Sequence, residues 1–552
     1  MAPLWRLKWL AALTIFSSLA PPPAAMHVNA QQVPIQILFD NTLPESAAST
    51  KAHRVAIIGA GAAGSSTAYH LQQFAANKAI SLDITIFESS SLIGGRTTTV
   101  NALDDPRYPA ELGASIFASV NHILVNATKD FDLATVNPGA NRPKETKYEI
   151  GIWDGCEFVC KATNDDFSWL DLAKLVWRYG LAPIRTQRLM KSTVAKFLRM
   201  YEEPLFPWKS LTEVAMRLGL LDATATTGQQ FLKLNSVGEK FGREIIQAST
   251  RVNYGQNLGL IHGLETMVCM STEGAMAVEG GNWQIFHGMV MRSQAQVKLN
   301  TSVKGIIRLG EGGYKLALSG KGRSSKNSAD KQQDVFDTVV IAAPFQYSGI
   351  KVSPALPQPP DEIPYVTLFV TLLTSPHRLS PKFFSTSSSA LSDQDYESVP
   401  EMVITTLPAD LDLGSEPRGV GPTNFWSVST LRAVDVNGST QYLYKIFSPQ
   451  PLNATFLSKL LDFPLKQEAN HNGGSIKDVA KEQISWSYEK KWHSYPYEYP
   501  RVTFEELNLD GKGLWYTSGI ESFISTMETS ALMGKNVARL IVDGLVGERG
   551  AK

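Results

Sequence analysis

The feature that most constrains the fold is a β-α-β unit over residues 54–88. A short β-branched run at 54–58 leads directly into a glycine-rich turn, and a helix-like segment follows at 65–74. A second strand-like run at 82–87 ends in Glu88. This order of strand, glycine turn, helix, strand and acid is typical of the Rossmann-type fold that binds dinucleotides. The sequence therefore predicts an α/β protein with a parallel sheet.

The glycine spacing in this turn suits a pyrophosphate. Gly59 permits the tight turn, Gly61 lets the backbone approach the phosphates, and Gly64 lets the helix pack closely against the strand. Backbone N–H groups and the dipole at the start of the helix favour the negative charge. Glu88 can accept hydrogen bonds from both ribose hydroxyls. The alternative is a glycine-rich turn without a ligand, and the flanking strands and the acid argue against it.

A second glycine-rich segment distinguishes between dinucleotides. Gly94-Gly95-Arg96 follows Glu88 closely, and Glu-Leu-Gly-Ala-Ser comes shortly afterwards at 111–115. An NAD site needs no such second element. In amine-oxidase-like flavoproteins, which this region resembles, the corresponding segment runs along the flavin and the pyrophosphate. The pattern therefore favours FAD over NAD.

Further motifs narrow the resemblance and extend it, in order, from about residue 53 to residue 542. They are Val-Trp-Arg-Tyr-Gly at 176–180, Arg-Val-Asn-Tyr-Gly-Gln at 251–256, Ala-Val-Glu-Gly-Gly-Asn at 277–282, Lys-Ile-Phe-Ser at 445–448, Ser-Tyr-Pro-Tyr at 494–497, Gly-Ile-Glu at 519–521 and Met-Glu-Thr-Ser at 527–530. On these residues the chain resembles the prenylcysteine oxidases, also called prenylcysteine lyases. The glycine motifs alone specify only the flavoprotein superfamily.

The resemblance implies a Rossmann-type FAD-binding domain of the glutathione-reductase and amine-oxidase kind, interrupted by a mixed α+β substrate domain. The FAD domain is predicted at 53–122, 269–345 and 505–545, and the substrate domain at 123–268 and 346–504. Strand-like runs at 296–303, 337–344 and 514–519 and a helix-like run at 530–542 supply the later parts of the FAD domain.

The motifs and the resemblance together predict which residues contact FAD. They are Gly59, Gly61, Ala62, Ala63, Gly64, Glu88, Gly94, Gly95, Arg96, Gly113, Ala114, Ser115, Val303, Gly519 and Glu521. The resemblance places Val303 beside the adenine, and Gly519 and Glu521 lie before a helix start that faces the flavin. The three cysteines and nine histidines form no metal-ligand spacing, so no metal is expected.

The resemblance also implies a reaction, in the breakdown of prenylated proteins. Hydride leaves the allylic carbon next to the thioether sulfur of farnesyl- or geranylgeranyl-cysteine, water adds to the resulting cation, and the hemithioacetal collapses to an aldehyde and free cysteine. Oxygen takes the electrons and becomes hydrogen peroxide. Two alternatives share the nucleotide motifs. One is a secreted FAD-dependent amine or polyamine oxidase, which needs an acidic pocket and an aromatic cage, and the other is a non-catalytic protein that binds FAD and lipid.

Few polar residues are candidates for the substrate site. Lys445 is the candidate catalytic residue, because it could hold a water molecule or polarise the flavin, as lysines do in related oxidases. Arg251 and Tyr254 could meet the cysteine carboxylate, and Glu279 and Asn282 flank a glycine pair expected near the isoalloxazine. Each of these residues also has a purely structural interpretation.

Apolar residues in the predicted substrate domain have two interpretations. Helical spacing relates Trp169, Leu172, Leu175, Val176 and Tyr179, and a second patch contains Phe197, Leu198, Met200 and Tyr201. Most are expected in the core. A prenyl chain also requires an aliphatic and aromatic tunnel, since each buried CH₂ group contributes ~0.8 kcal/mol. His122 and His262 are either pocket residues or ordinary core and surface side chains.

The first 30 residues have the order of a secretory signal peptide. Arg6 and Lys8 precede an apolar run at 9–19, followed by a proline break and small residues up to Ala30. The run is too short to span a membrane, and no transmembrane segment is expected elsewhere. Residues 31–52 are predicted to be a linker. These features predict a secretory-pathway protein, located in a lysosome, in a vacuole or outside the cell.

Glycosylation sequons agree with secretion. Glycans are predicted on Asn126, Asn437 and Asn453, whereas Asn300 falls within the strand-like run at 296–303 and is expected to be hidden.

The charge composition limits the partners. Lys+Arg 52 and Asp+Glu 52 give a formal net charge of zero, so the chain has no global attraction for nucleic acid. The expected partners are the prenylated cysteine and oxygen.

Overall fold

The computed structural model describes residues 52–163, 169–310, 312–320, 335–384, 392–414, 419–465 and 473–550. The predicted signal peptide, and all of the predicted linker except its last residue, lie outside these ranges. No helix among the described residues has the length and apolar character that crossing a bilayer requires.

The strands and helices follow in chain order. The strands are β1 (His53–Ile58), β2 (Leu82–Phe87), β3 (Thr99–Asn101), β4 (Pro109–Glu111), β5 (Thr135–Val136), β6 (Tyr148–Trp153), β7 (Phe158–Thr163), β8 (Ala277–Val278), β9 (Gln296–Lys298), β10 (Thr301–Arg308), β11 (Tyr314–Gly320), β12 (Val335–Phe336), β13 (Thr338–Ile341), β14 (Lys351–Ser353), β15 (Tyr365–Ser375), β16 (Met402–Thr405), β17 (Ser427–Val436), β18 (Ser439–Ser448), β19 (Trp486–Pro496) and β20 (Leu514–Tyr516). The helices are α1 (Ala62–Ala76), α2 (His122–Asp130), α3 (Trp169–Tyr179), α4 (Ala182–Leu198), α5 (Leu211–Arg217), α6 (Leu221–Thr224), α7 (Gly228–Leu234), α8 (Glu239–Phe241), α9 (Gln247–Tyr254), α10 (Gly263–Cys269), α11 (Trp283–Arg292), α12 (Phe345–Ser348), α13 (Pro381–Phe384), α14 (Asp393–Glu397), α15 (Ala454–Leu461) and α16 (Met527–Gly550).

A five-stranded parallel sheet has the order β20-β13-β1-β2-β9 and contains the predicted β-α-β unit. Strands β1 and β13 lie inside this sheet, and their side chains from 55 to 58 and from 338 to 341 are buried. Burial on both faces explains why these segments are continuous apolar runs and do not alternate. The α/β fold class and the Rossmann unit are thereby confirmed.

Helices α1 and α16 pack directly against each other beside this sheet. Gly534 makes the close approach possible, because a Cβ atom there would clash with the Ala63 backbone oxygen in the first turn of α1. The C-terminal helix is thereby held against the glycine turn. Its first turn, at Met527, begins three residues before the predicted helix start.

The predicted strand at 296–303 is wrong as a single element. The chain turns at Asn300, which has φ +51, so β9 joins the five-stranded sheet and β10 joins a separate sheet of order β12-β11-β10-β14. Asparagine tolerates this left-handed conformation better than most residues. The Asn300 side chain is exposed in this turn, so the reason given for excluding it as a glycan site is also wrong.

A seven-stranded mixed sheet has the order β19-β15-β18-β17-β16-β6-β7. All of its strands come from the ranges predicted for the substrate domain, and all strands of the five-stranded sheet come from the ranges predicted for the FAD domain. Strand β14 pairs with β10 although it lies in the predicted substrate range. The exact domain division stays a prediction.

The predicted apolar patches are only partly buried. Tyr179 and Phe197 are buried, Leu175 and Val176 are half-buried, and Trp177 at the end of α3 is 91% exposed. The side chains of residues 169 to 172 lie outside the described part of the chain.

Candidate active site

A cavity of about 1940 Å³ is lined by residues from both large sheets. Pockets for a single small ligand are typically about 300–1,000 Å³. The cavity therefore has room for a dinucleotide and a second, elongated ligand. Its lining includes glycine-rich, charged and apolar groups of residues.

The glycine turn forms one end of the cavity. Gly59 has φ +108, and a Cβ atom at Gly64 would clash with the Gly59 backbone oxygen, so packing of the turn itself requires both glycines. Gly61 is different, because a Cβ atom there would meet only the Gly95 Cα, at 3.8 Å. Gly61 lines the cavity. Contacts within the protein do not explain this glycine, whereas close approach of a pyrophosphate does.

The N-terminus of α1 opens onto the same space. Gly61 is the N-cap, no side chain caps the helix, and the first turn carries no acidic residue. Ala62 and Ala63 line the cavity. The first N–H groups of a helix lack intrahelical partners, so they are available to a phosphate. These residues fit the diphosphate of FAD.

Glu88 is buried beside the glycine turn. Its Oε2 accepts a hydrogen bond from Ala60 N at 2.8 Å, and its Oε1 accepts from Ser90 N at 2.7 Å and Ser89 Oγ at 3.3 Å. A carboxylate offers about four acceptor sites, so capacity for a ribose hydroxyl remains. Val303 is buried and lines this end of the cavity as well. Their contacts with ribose and adenine stay predictions.

Arg96 connects the second glycine segment to the C-terminal part of the chain. Its Nη2 lies 2.8 Å from Glu521 Oε2, and its Nη1 donates to the Ser494 backbone oxygen at 2.6 Å. Gly94 and Gly95, with φ +126 and +61, line the cavity beside it. The structure thus brings Arg96 together with residues that lie about 400 positions away in sequence.

Gly519, one of the predicted FAD contacts, does not line the cavity. It lies in the 3₁₀ helix Ser518–Ser522, and a Cβ atom there would come within 3.0 Å of the Glu505 Cβ. Its neighbours Ser518 and Glu521 line the cavity instead. The glycine is explained by packing against Glu505.

Lys445 and Glu111 are two ionisable residues that lie close together in the lining of the cavity. Lys445 Nζ donates to Ser115 Oγ at 2.9 Å and to the Glu111 backbone oxygen at 3.2 Å. Burial lowers the pKa of Lys445 to about 8, although the Glu111 carboxylate raises it. Burial raises the pKa of Glu111 to about 7, while Asn282 N, donating to Oε1 at 2.6 Å, and Lys445 lower it. Both groups therefore titrate near neutral pH.

The remaining predicted cofactor residues and a set of aromatic side chains surround this pair. Gly113, Ala114 and Ser115 line the cavity. From the seven-stranded sheet, the lining includes Phe447 of β18 and Tyr488, Lys490, Trp492, His493, Ser494 and Tyr495 of β19.

The far end of the cavity is mainly apolar. Its lining includes Val194, Phe197 and Leu198 from α4, Val252 from α9, Met402 and Ile404 from β16 and Ile524. Met200 and Tyr201, which belong to the same predicted patch, do not line it. This end can accept an extended hydrocarbon chain.

Arg251 is not a substrate contact, contrary to the prediction. The side chain is completely buried and stacks over Trp426 at 4.7 Å. It donates hydrogen bonds to Asn257 Oδ1 at 2.8 Å, to Thr405 Oγ1 at 3.1 Å and to the Val420 backbone oxygen at 2.6 Å. Burial lowers the pKa of Arg251 to about 9. The guanidinium fixes loop 419–423 against α9 and does not line the cavity.

Of the other predicted substrate residues, one holds the fold together and two line the cavity. Asn282 is buried and holds backbone groups together, with Nδ2 donating to the Ala114 oxygen at 2.8 Å and Oδ1 accepting from Val278 N at 2.8 Å. It does not line the cavity, whereas Tyr254 and Glu279 do.

Neither histidine candidate lines the cavity. His122 is exposed at the start of α2. His262 is buried, and its Nδ1 accepts from Glu265 N at 3.1 Å as the cap of α10. Burial lowers the pKa of His262 to about 3.

Sequence reasoning missed Glu111 and the aromatic residues of β19 as cavity residues. Glu111 belongs to the second glycine segment, and its position beside three predicted cofactor residues was a usable signal. The period-two pattern of Tyr488, Lys490 and Trp492 was another, because alternate residues of a strand share one face.

Comparisons with known proteins agree with this geometry. A prenylcysteine lyase family model matches residues 162–550, and an NAD(P)-binding Rossmann-like domain model matches residues 57–127. The chain is 32% identical to farnesylcysteine lyase from Arabidopsis thaliana and 27% identical to prenylcysteine oxidase 1 from Homo sapiens, each over 505 residues and 88% of both chains.

Solved structures share the fold at low identity. Wild-type putrescine oxidase bound to putrescine superposes with a TM-score of 0.51 at 14% identity, covering 89% of this chain and 99% of that one. Cyclohexylamine oxidase from Brevibacterium oxydans gives 0.50 at 16%, covering 90% and 100%.

Proposed function

This chain belongs to the prenylcysteine lyase family, and on that premise we propose that it is an FAD-dependent thioether oxidase acting on farnesyl- or geranylgeranyl-cysteine. The overall reaction consumes prenylcysteine, one water and one oxygen, and yields the prenyl aldehyde, free cysteine and hydrogen peroxide. The carbon–sulfur bond breaks, the allylic carbon is oxidised by two electrons, and oxygen is reduced by the same two electrons.

The observation that carries the proposal is the continuity of the cavity. The dinucleotide turn, the Lys445 and Glu111 pair and the apolar end of Val194, Phe197 and Leu198 line one space. A substrate with a long hydrocarbon chain and a polar head fits a cavity that combines apolar and charged lining residues. The apolar end buries the chain, which is favourable by ~0.8 kcal/mol for each CH₂ group.

The residues present fit FAD, which when bound supplies the hydride acceptor and the route of the electrons to oxygen. Glu111 then accepts the proton that the attacking water releases, and Lys445 assists it. A carboxylate whose pKa is near 7 can accept a proton at neutral pH, and the neighbouring ammonium group favours its ionised form. Tyr488 and Trp492 line the same cavity.

We also propose that the protein enters the secretory pathway and acts in a lysosome, in a vacuole or outside the cell. The signal-like residues 1–30 support this, and so do the exposed sequons at Asn126 and Asn437. Asn453 is half-buried, and its Oδ1 caps α15 by accepting from Phe456 N at 2.8 Å. A glycan is therefore expected first on Asn126 and Asn437, and Asn300 is also an exposed candidate. Intact-mass measurement and N-terminal sequencing of protein from its native host test both points.

The test of the activity is product analysis with purified holoenzyme. Farnesylcysteine should give peroxide, farnesal and free thiol in equal amounts. Putrescine and spermine should give no peroxide. Peroxide and ammonia from the amines, without thiol release from farnesylcysteine, would establish the amine oxidase alternative. A flavin spectrum with no turnover of either class would establish the non-catalytic binding protein.

The cofactor assignment has its own test. Gly61→Val would place a side chain in the phosphate path and should give folded protein without the flavin absorbance. Gly310→Ala is the matched control, because a Cβ atom there meets no atom within 4 Å. Full flavin content in Gly61→Val would refute the assignment of the turn.

A further inference from the structure

The cations that line the cavity differ in how far the protein itself neutralises them. Arg96 is paired with Glu521 at 2.8 Å, Arg107 with Asp105 at 2.5 Å, and Arg142 with Glu149 at 3.2 Å. Arg432 lines the cavity without a carboxylate partner in the described part of the chain. It is half-buried, and its guanidinium contacts the backbone of Arg107, which lines the same cavity.

A β-bulge explains why Arg432 reaches the cavity. In β17, Ser427, Ser429 and Leu431 follow the strand period and line it. The pairing of β17 with β18 shifts between Thr430 and Arg432, which leaves Leu431 as the extra residue. A bulge re-aims the following side chain, so Leu431 and Arg432 both face the cavity although they are adjacent.

The hydrogen bonds of Arg432 leave most of its donors available. Nη1 donates to the Arg107 backbone oxygen at 3.3 Å. An arginine side chain has five N–H donors in a fixed fork, which matches the two oxygens of a carboxylate. The contact with Arg107 holds the fork at the tip of the β3–β4 hairpin, at the rim of the cavity.

Arg432 is also at a suitable distance from the Lys445 and Glu111 pair. Ser429 pairs with Lys445, and Arg432 pairs with Leu443, two residues farther along β18. Two residues of a strand span about 7 Å. In prenylcysteine, four bonds separate the reacting allylic carbon from the carboxylate carbon. A substrate with its allylic carbon near Lys445 can therefore place its carboxylate at Arg432.

We propose that Arg432 is a specificity-determining residue that binds the α-carboxylate of the cysteine part of the substrate, the role predicted for Arg251. This proposal rests on the proposed function. It also fixes the orientation of the substrate, with the prenyl chain at the apolar end and the amino acid at the rim, where water solvates its ammonium group.

The test compares Arg432→Gln with the wild type on S-farnesylcysteine and on its methyl ester, which lacks the negative charge. The wild type should prefer the free acid. Arg432→Gln should raise KM for the acid roughly 10- to 100-fold, because a charge-assisted hydrogen bond is lost, and should change KM for the ester less than about threefold. Arg432→Lys should recover part of the preference, and kcat for either compound should change little.

Arg308→Gln is the matched control. Arg308 is also a strand arginine that donates to backbone oxygens, those of Pro354 and Ala355, but it does not line the cavity. It should keep the wild-type preference. An equal change of KM for acid and ester in Arg432→Gln, or no change for either, would overturn the role of Arg432.

Failure of the proposed function gives a different result. The wild type would then release no aldehyde from either compound. Calorimetric binding of the acid and the ester would still measure whether Arg432 recognises the carboxylate, so the two proposals can fail separately.

Discussion

Arg251 and Lys445 are two cations with similar sequence arguments and opposite structural roles. Both lie in family-like motifs, and both were candidates for contact with the ligand. Arg251 is completely buried, and acceptors from Asn257, Thr405 and the 419–423 loop surround its guanidinium. Lys445 is half-buried, contacts Ser115 and the Glu111 backbone oxygen, and lines the cavity.

The difference teaches that a structural cation has its donors occupied by internal acceptors, whereas a functional cation faces a cavity. A guanidinium whose donors are used inside the protein has nothing left for a substrate. An ammonium group held by two hydrogen bonds at a cavity wall can still lose its proton or donate to a different acceptor. The following experiments test that distinction, beginning with the largest expected effect.

Arg251→Met should destabilise the fold without a selective effect on the substrate. The change removes the buried hydrogen bonds from the guanidinium to Asn257 Oδ1, Thr405 Oγ1 and the Val420 backbone oxygen, at a cost of roughly 3–5 kcal/mol in the free energy of unfolding. Chemical denaturation measures it. Arg251→Lys should lose less, and any folded fraction should keep the wild-type KM. A normal unfolding curve with a raised KM for prenylcysteine would show instead that Arg251 binds the substrate.

Lys445→Met should have the opposite pattern. Activity at pH 7.5 should fall about 10- to 100-fold, because Glu111 loses the cation that favours its ionised form. Stability should be unchanged or higher, since a partly desolvated charge is replaced by an apolar side chain of similar length. Measurement of aldehyde and thiol release, paired with denaturation, gives both quantities. Equal loss of stability in Lys445→Met and Arg251→Met would show that both cations stabilise the fold.

The sequence predicted the parts of this molecule that local rules determine. Gly59, Gly61 and Glu88 were identified because the turn, the helix start and the strand end lie within one short segment. Arg251 and Asn282 were misjudged because their partners, Val420 and Ala114, come from distant segments. No local pattern shows whether a polar side chain is satisfied by the fold or faces a ligand.

Departures from regular strands were a second limit. The turn at Asn300 divides a run that alternates like one strand. The bulge at Leu431 turns Arg432 toward the cavity, whereas in a regular strand Arg432 would lie on the opposite face from Leu431. Both depend on pairing with strands that are distant in sequence or shifted in register. Periodicity alone cannot locate them.

The pH dependence of thiol release, which follows water attack, should distinguish the roles of Glu111 and Lys445. Glu111 ionises as the pH rises through about 7, and Lys445 loses its charge as the pH rises through about 8. The rate should therefore rise through the first transition and fall through the second, by about tenfold per pH unit outside this window. Glu111→Gln should abolish the lower transition and move the upper one below pH 8, because the Glu111 carboxylate raises the pKa of Lys445. A flat wild-type profile between pH 6 and pH 9 would contradict these roles.

Lys445→Arg should have the smallest effect at neutral pH and is the most specific test of the cation. A guanidinium keeps its charge throughout the accessible pH range, so it can still favour the ionised form of Glu111. Its planar fork cannot reproduce the contacts of a compact ammonium group with Ser115 and the Glu111 backbone oxygen, so the rate at pH 7 should fall about three- to tenfold. The decline above pH 8 should disappear, because no group at position 445 then loses a proton. The rate of thiol release between pH 7 and pH 10 measures this limb. If the decline persists in Lys445→Arg, another group is responsible for it, and Lys445 would be, like Arg251, a cation that serves the fold.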